Sequence, residues 1–262
     1  MEKIKAFLSD PQVLFREGIH FTLSGEDDFE VTGETTNNED ALAAIKTNPP
    51  TVAILSMTDR KLDGPEATRR IKRVFPSIAV ILIMEHESEE QLFLAIKCGA
   101  SACLSKDTDP EYLVSVIREV AQGIKPLTQA LLIPDVASSV IAEFKALAII
   151  SEKLNDMMAG LTGNEIELLN SIAAGHDIEQ ITASLSITEE VIRHRLETIV
   201  NKLAANDQAK NLIEATQRTM PSFIPGTAMG GMSASEFITR EEFNDFKENL
   251  TDRLKSFIGE LA

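Results

Sequence analysis

The sequence predicts a doubly wound α/β domain built on a five-stranded parallel sheet, then an all-α helix-turn-helix domain, then a C-terminal amphipathic helix. Three observations carry this expectation. Over residues 1–124, short apolar runs alternate with amphipathic helical patterns in five successive strand–helix units. Over residues 160–218 the strand-like runs cease, and short helical patterns follow one another across tight turns. After Pro221 and Pro225 the chain passes into a Gly-, Ser- and Met-rich run ending at Ser235, then resumes an apolar period near 3.6 residues.

The elements of the first domain follow in order. Ile4–Ser9 reads as a strand and Gln12–Leu23 as a helix; Phe29–Gly33 and Asn38–Thr47 repeat the pair. Val52–Ser56 is a buried strand, bounded by Asn48-Pro49-Pro50 and running into a polar loop that closes on Asp63-Gly64. A helix over Pro65–Val74, a strand over Ala79–Met84, a helix over Ser88–Cys98, a strand over Ala102–Leu104 and a helix over Pro110–Gln122 complete the set. Strand–helix units in this order predict parallel strands joined by right-handed crossovers. Ligands of such sheets bind at the carboxyl ends of the strands, where Ser56 lies.

Residues 125–159 form a linker whose main feature is a long helix from Pro134 to about Met158. Its stripe of Val136, Val140, Phe144, Leu147, Leu154 and Met158 packs either on its own chain or on a second copy. In the helix-turn-helix, Thr162 caps the first helix with Glu165 in the capping-box position, and Ile166, Leu169, Ile172 and Ala173 supply its core face. Ile178–Leu185 is the next helix. A turn at Ser186-Ile187 leads to a new cap at Thr188 and a helix from Glu189 to about Leu203, which buries Val191, Ile192, Leu196, Ile199 and Leu203. Residues 219–235 read as a flexible tether. Over 236–262, Thr239 and Glu242 form a second capping box, Ile238 and Phe243 a hydrophobic staple, and Phe243, Phe246, Leu250, Leu254, Phe257 and Leu261 an apolar stripe that wants a partner.

Composition narrows the function classes. The 262-residue chain is 44% hydrophobic and 25% charged, as expected of a globular protein with room for two cores. No apolar run is long enough to span a membrane, the chain opens directly into a strand, and the two cysteines, Cys98 and Cys103, have no metal-ligand company. These features predict a cytoplasmic protein with no cofactor, no metal and no membrane contact. Neither a nucleophile–base pair nor a metal cluster is evident, so an enzyme is not expected. The net charge of −16 argues mildly against nonspecific nucleic-acid binding, which rests on phosphate neutralisation.

The runs Asp10-Pro11-Gln12-Val13-Leu14-Phe15-Arg16-Glu17-Gly18, Asp63-Gly64, Gly99-Ala100-Ser101 and Lys106-Asp107 resemble the receiver domains of NarL/FixJ-class response regulators over nearly all of residues 3–124. The resemblance implies a degenerate phosphoacceptor pocket. Ser56 stands where the family carries its phosphorylated aspartate, and a serine hydroxyl cannot form the same acyl phosphate. Asp10 falls on the first acid of the family's pair and Pro11 on the second. One carboxylate is a poor set for Mg²⁺, a hard cation that takes oxygen ligands. Met84 replaces the Thr or Ser that contacts the phosphoryl group, Cys103 replaces the switch aromatic, and Lys106 is retained, either paired with Asp10 or available to an anion.

The segment from Leu161 resembles the LuxR-type DNA-binding domain. Carried over residue by residue, the resemblance implies DNA contacts from Thr188, Arg193, His194, Arg195 and Lys202, with Arg193 at the family's basic position and Arg195 in place of a common histidine. Acidic residues outnumber basic ones from 161 to 218, and Glu189 and Glu190 would repel phosphate at the start of the recognition helix. The implied function is a phosphorylation-independent transcription regulator that binds double-stranded DNA as a homodimer, with the faces of the fourth and fifth receiver helices as family association surfaces. The alternative is an adaptor-like regulator whose acidic surface and C-terminal helix bind a protein partner, DNA binding being vestigial.

Overall fold

The computed structural model describes the backbone of residues 3–154 and 158–219 and the side chains of residues 3–148 and 158–212. The tether and C-terminal amphipathic helix expected over 219–262 lie almost wholly outside the described residues.

Five strand–helix units open the chain: β1 (Ile4–Ser9), α1 (Val13–Ser24), β2 (Phe29–Thr35), α2 (Asn38–Thr47), β3 (Val52–Ser56), α3 (Gly64–Val74), β4 (Ala79–Met84), α4 (Glu89–Cys98), β5 (Ala102–Ser105) and α5 (Pro110–Ala121). The strands form one parallel sheet in the order β2-β1-β3-β4-β5. β3 and β4 are buried at every position, which is why they read as unbroken apolar runs rather than alternating ones. Asn37, Asp63, Ser88 and Asp109 each cap a helix, their side chains accepting a backbone N–H of the first turn. A Cβ on Gly64 would sit 2.6 Å from the Ser56 carbonyl oxygen, so only glycine lets the loop return to the end of β3.

A 3-10 helix (Pro126–Leu132) leads into α6 (Pro134–Leu154), α7 (Gly163–Ala173), α8 (Ile178–Leu185) and α9 (Glu189–Thr219). One hydrophobic core runs from the sheet face bearing α2, α3 and α4 into these helices: Leu55, Leu82 and Ile96 share it with Leu131, Val140, Leu168 and Ile199. The opposite sheet face, under α1 and α5, holds a separate core of Leu8, Ile54, Ile81, Leu23 and Ile117.

Several expectations are corrected by this arrangement. Of the two fates open to the linker helix, α6 takes the first: Val136, Val140, Phe144 and Leu147 are buried on the chain's own α4, α7 and 3-10 helix. α4 is likewise covered by α6 and α9, and Lys97 ties it to Glu143 at 2.6 Å, so it offers no open association face. In α7 the buried set is Leu168, Leu169 and Ile172, whereas Ile166 is 41% exposed. Val191 in α9 is 37% exposed. α9 does not stop at Leu203 but continues to Thr219. Ala204 and Ala205 are strong helix formers, and no Gly or Pro interrupts the run. Asn206 and Asp207 are buried on partners far along the chain, the first on both backbone groups of Ala159 and the second on Arg69.

Candidate functional site

The carboxyl ends of β1, β3, β4 and β5 bring Asp10, Pro11, Ser56, Met84 and Lys106 around one cleft, with Cys103 two residues inside β5. Asp10 is buried; its Oδ1 accepts the Gln12 N–H at 2.7 Å and the Lys106 ammonium at 3.3 Å. Asp10 Oδ2 has Lys106 Nζ 3.1 Å away, yet no donor aligned for a hydrogen bond. Lys106 also donates to Glu85 Oε1 at 2.6 Å, and Gln12 Nε2 reaches the same carboxylate at 3.2 Å. Its ammonium stands 5.2 Å from the centre of the Phe15 ring. The Lys106 hydrogen bond holds the exposed Glu85 carboxyl below the usual carboxylate range. The cleft therefore carries its own anion, one residue past the end of β4.

Ser56 is 3% exposed and its hydroxyl donates to the Thr58 carbonyl at 3.0 Å. Around it, Asn38 Nδ2 donates to the Ser56 and Leu62 carbonyls at 2.9 and 3.0 Å, and its Oδ1 accepts the Ser9 hydroxyl. Asp59 accepts the Asn38 N–H at 2.8 Å and the Lys61 N–H at 2.7 Å, which pins the loop after β3. Met84 is buried in the core and Cys103 packs against that core; a thioether and a thiol stand where the family resemblance implies a hydroxyl and an aromatic ring. Burial pushes the Cys103 thiol up to about 12, and Cys98 likewise, which leaves neither as a reactive thiolate. Pro11 is exposed at the mouth. Among the described residues, no group of three His, Cys, Asp or Glu is placed to hold a metal ion, and no helix is long and apolar enough to cross a membrane.

In the helical domain, Thr162 and Glu165 close the expected capping box, and Asp177 with Gln180 closes a second one on α8. Ser186 takes φ 53°, the left-handed conformation that ends α8 and turns the chain into α9. The Thr188 hydroxyl accepts the Val191 N–H at 3.4 Å. Arg193 and His194 are exposed; Arg193 bonds Glu189 one turn back at 3.2 Å, and Arg195 is half-buried with no ion pair among the described residues. Lys202 stands apart from the other expected contacts. Its ammonium is 2.8 Å from Oε2 and 2.9 Å from Oε1 of the buried Glu165 and also reaches the Gly160 carbonyl, so it braces α9 against α7 instead of facing solvent. Burial pushes the Glu165 carboxyl up, but the Lys202 bond together with the Thr162 hydrogen bonds holds it below the usual carboxylate range.

The family of response regulator receiver domains matches residues 7–118. Relatives align well beyond this receiver. The uncharacterized transcriptional regulatory protein YxjL of Bacillus subtilis (strain 168) is 28% identical over 215 residues, which is 82% of this chain and 95% of that protein. The transcriptional regulatory protein DegU of Brevibacillus brevis is 27% identical over 224 residues, 81% of this chain and 93% of that protein. Among solved structures, the receiver domain of response regulator NarL from Mycobacterium tuberculosis is 30% identical with a TM-score of 0.45, covering 47% of this chain and 99% of that one. Sequence reading of the receiver missed Glu85, Asn38 and Asp59. Glu85 carries a signal, a carboxylate immediately past a strand end in register with Lys106, whereas the other two act through loop geometry that no local pattern shows.

Proposed function

We propose that the chain is a cytoplasmic, DNA-binding transcription regulator of the NarL/FixJ class that works as a homodimer and without phosphorylation. The observation that carries the reading is the α8–α9 pair. Two capped helices meet at a left-handed turn, and the second presents Arg193 and His194 to solvent with Thr188 at its start and Arg195 at its flank. Relatives named as transcriptional regulatory proteins align across both this pair and the receiver, which supports the assignment.

Phosphorylation independence rests on the cleft. The Ser56 hydroxyl donates a hydrogen bond to the Thr58 carbonyl, Asp10 is the one carboxylate left of the expected set, and Lys106 is already engaged by Glu85. This pocket is degenerate in the sense that its remaining charges satisfy one another. Self-association is supported by α1, where Leu14 and Phe21, seven residues apart on one face, are 89% and 82% exposed. The adaptor reading draws on Glu190 and Glu197, exposed beside Arg193; in it residues 236–262 and the acidic surface take a protein partner.

The test is capture of fragmented genomic DNA by the full-length protein at two salt concentrations, with and without acetyl phosphate and Mg²⁺, beside an Arg193→Ala/Arg195→Ala double variant. Discrete enriched sites, lost in the variant and indifferent to acetyl phosphate, are the expected result. No enrichment under any condition moves the assignment to the adaptor. Enrichment that requires acetyl phosphate defeats the phosphorylation-independent part alone.

A further inference from the structure

The connector places a cation with no carboxylate ion pair at one end of the exposed face of α9, and a second such cation lies near it on the receiver. At 3.6 residues per turn, Glu190, Arg193, His194, Glu197 and Asn201 fall on one side of the helix, and all are exposed. At the far end of that side, Lys125 of the connector donates to Asn201 Oδ1 at 2.6 Å. Lys72, in the last turn of α3, donates to the Ile78 and Pro76 carbonyls at 2.7 and 3.4 Å. Burial and the nearby Lys125 charge bring Lys72 down to about 8, and burial lowers Lys125 against the pull of Glu197. Neither lysine has a carboxylate ion pair among the described residues, and nor does the exposed Arg73 next to Lys72. The chain carries 41 acidic residues against 25 basic ones, so two lysines close together with no carboxylate ion pair, one of them adjacent in sequence to the exposed Arg73, are an anomaly here. Desolvated charge without a counter-ion is unfavourable, and an arriving anion relieves it.

We propose that Lys125, Lys72 and Arg73 form a phosphate-binding ridge on the receiver that engages the DNA backbone beside the segment read by α9. The inference rests on the DNA-binding reading of α9. Its geometry supplies the scale. Eight residues separate Arg193 from Asn201, an axial rise of about 12 Å, which is close to the width of the major groove. A helix that sets Arg193 against base edges thus carries Lys125 about 12 Å further along its axis, toward the flanking phosphates. Lysine suits that role as a compact point charge needing no bidentate geometry. The ridge adds affinity and not sequence preference, because phosphates are the same at every step.

The experiment uses full-length protein, the fragments enriched by the wild type and a short random-sequence duplex, titrated across a range of salt. Lys72→Gln/Lys125→Gln is expected to bind both duplexes about tenfold more weakly, with the log–log salt slope shallower by about 2 and the ratio between duplexes unchanged. Lys125→Arg should keep wild-type affinity and slope. Arg73→Gln, at an exposed position, should flatten the slope by about 1 and serves if the double variant fails to fold. Wild-type slopes in these Gln variants, with binding still lost in Arg193→Ala/Arg195→Ala, overturn the ridge and leave the DNA reading intact. A wild type that binds neither duplex overturns both.

Discussion

At the scale of single residues, Lys72 shows how a cation without a partner writes itself into stability. Its amine titrates near 8 in the folded chain, against 10.5 for an ordinary lysine, because burial disfavours the charged form and Lys125 adds repulsion. Below about pH 8 folded and unfolded states both hold the proton, and the folded state bears the full cost of desolvation. Between roughly pH 8 and 10.5 the unfolded chain holds more protons than the folded one, so this residue's contribution makes stability rise with pH. The thiols of Cys98 and Cys103, raised to about 12 by burial, act in the opposite sense, since they stay protonated after unfolded thiols ionise. The measurement is therefore a difference. In urea unfolding followed by circular dichroism, wild type should gain on Lys72→Met by about 2 kcal/mol between pH 8 and 10, after allowance for partial solvent screening. Parallel pH profiles would remove the account of Lys72 as a desolvated cation. The same scale shows what sequence could read of the cleft. Asp10, Pro11, Ser56, Met84 and Lys106 fall where their spacing from the strands put them, but the closure of Lys106 by Glu85 depends on two strand ends being neighbours, and only the sheet order β3-β4-β5 establishes that.

At the scale of elements, α9 is the instructive departure. Hydrophobic periodicity locates its start, because Thr188 and the Ser186 turn are local chemistry, but it misplaces the end by about four turns. Asn206 and Asp207 are poor helix formers in isolation, and a reading confined to neighbours breaks the helix there. In the folded chain Asn206 satisfies the Ala159 backbone through both ends of its amide, and Asp207 receives Arg69 Nε at 2.5 Å, from a residue 138 positions earlier. Ala204, Ala205 and the absence of Gly or Pro permit the helix to continue, and the long-range partners of Asn206 and Asp207, which no short window shows, fix it there. The Arg69–Asp207 pair is also the bond between α3 of the receiver and α9, with the Asp207 side chain 3% and the Arg69 side chain 20% exposed. Removing one member of such a pair leaves the other desolvated and unpaired. Asp207→Ala should therefore cost about 3 kcal/mol in chemical denaturation. A loss within experimental error would mean that the pair is solvated and that α9 is held to the receiver by apolar contacts alone.

At the scale of the whole molecule, the strand–helix alternation and the capped helical segments made both architectures legible, but not their union. The sequence divides at a linker, which suggests two bodies; the fold instead carries one core from Leu82 in the sheet through Val140 in α6 to Leu168 and Ile199 in the helical domain. Polar bonds cross the same boundary at Arg69–Asp207, Lys97–Glu143 and Lys125–Asn201. A boundary filled in this way does not leave two units to melt independently, so calorimetry should show one cooperative transition with equal van't Hoff and calorimetric enthalpies over residues 1–219. The exposure of Arg193 and His194 in this docked arrangement adds a second expectation. If DNA meets α9 without the domains separating, an enriched duplex should raise the midpoint of that single transition in proportion to the logarithm of its concentration over its dissociation constant. A transition that splits in two on adding DNA would show that binding pulls α9 from the receiver. In that case the Lys72, Lys125 and Arg73 ridge could not reach the same duplex, and the docked core would be the resting state of a switch.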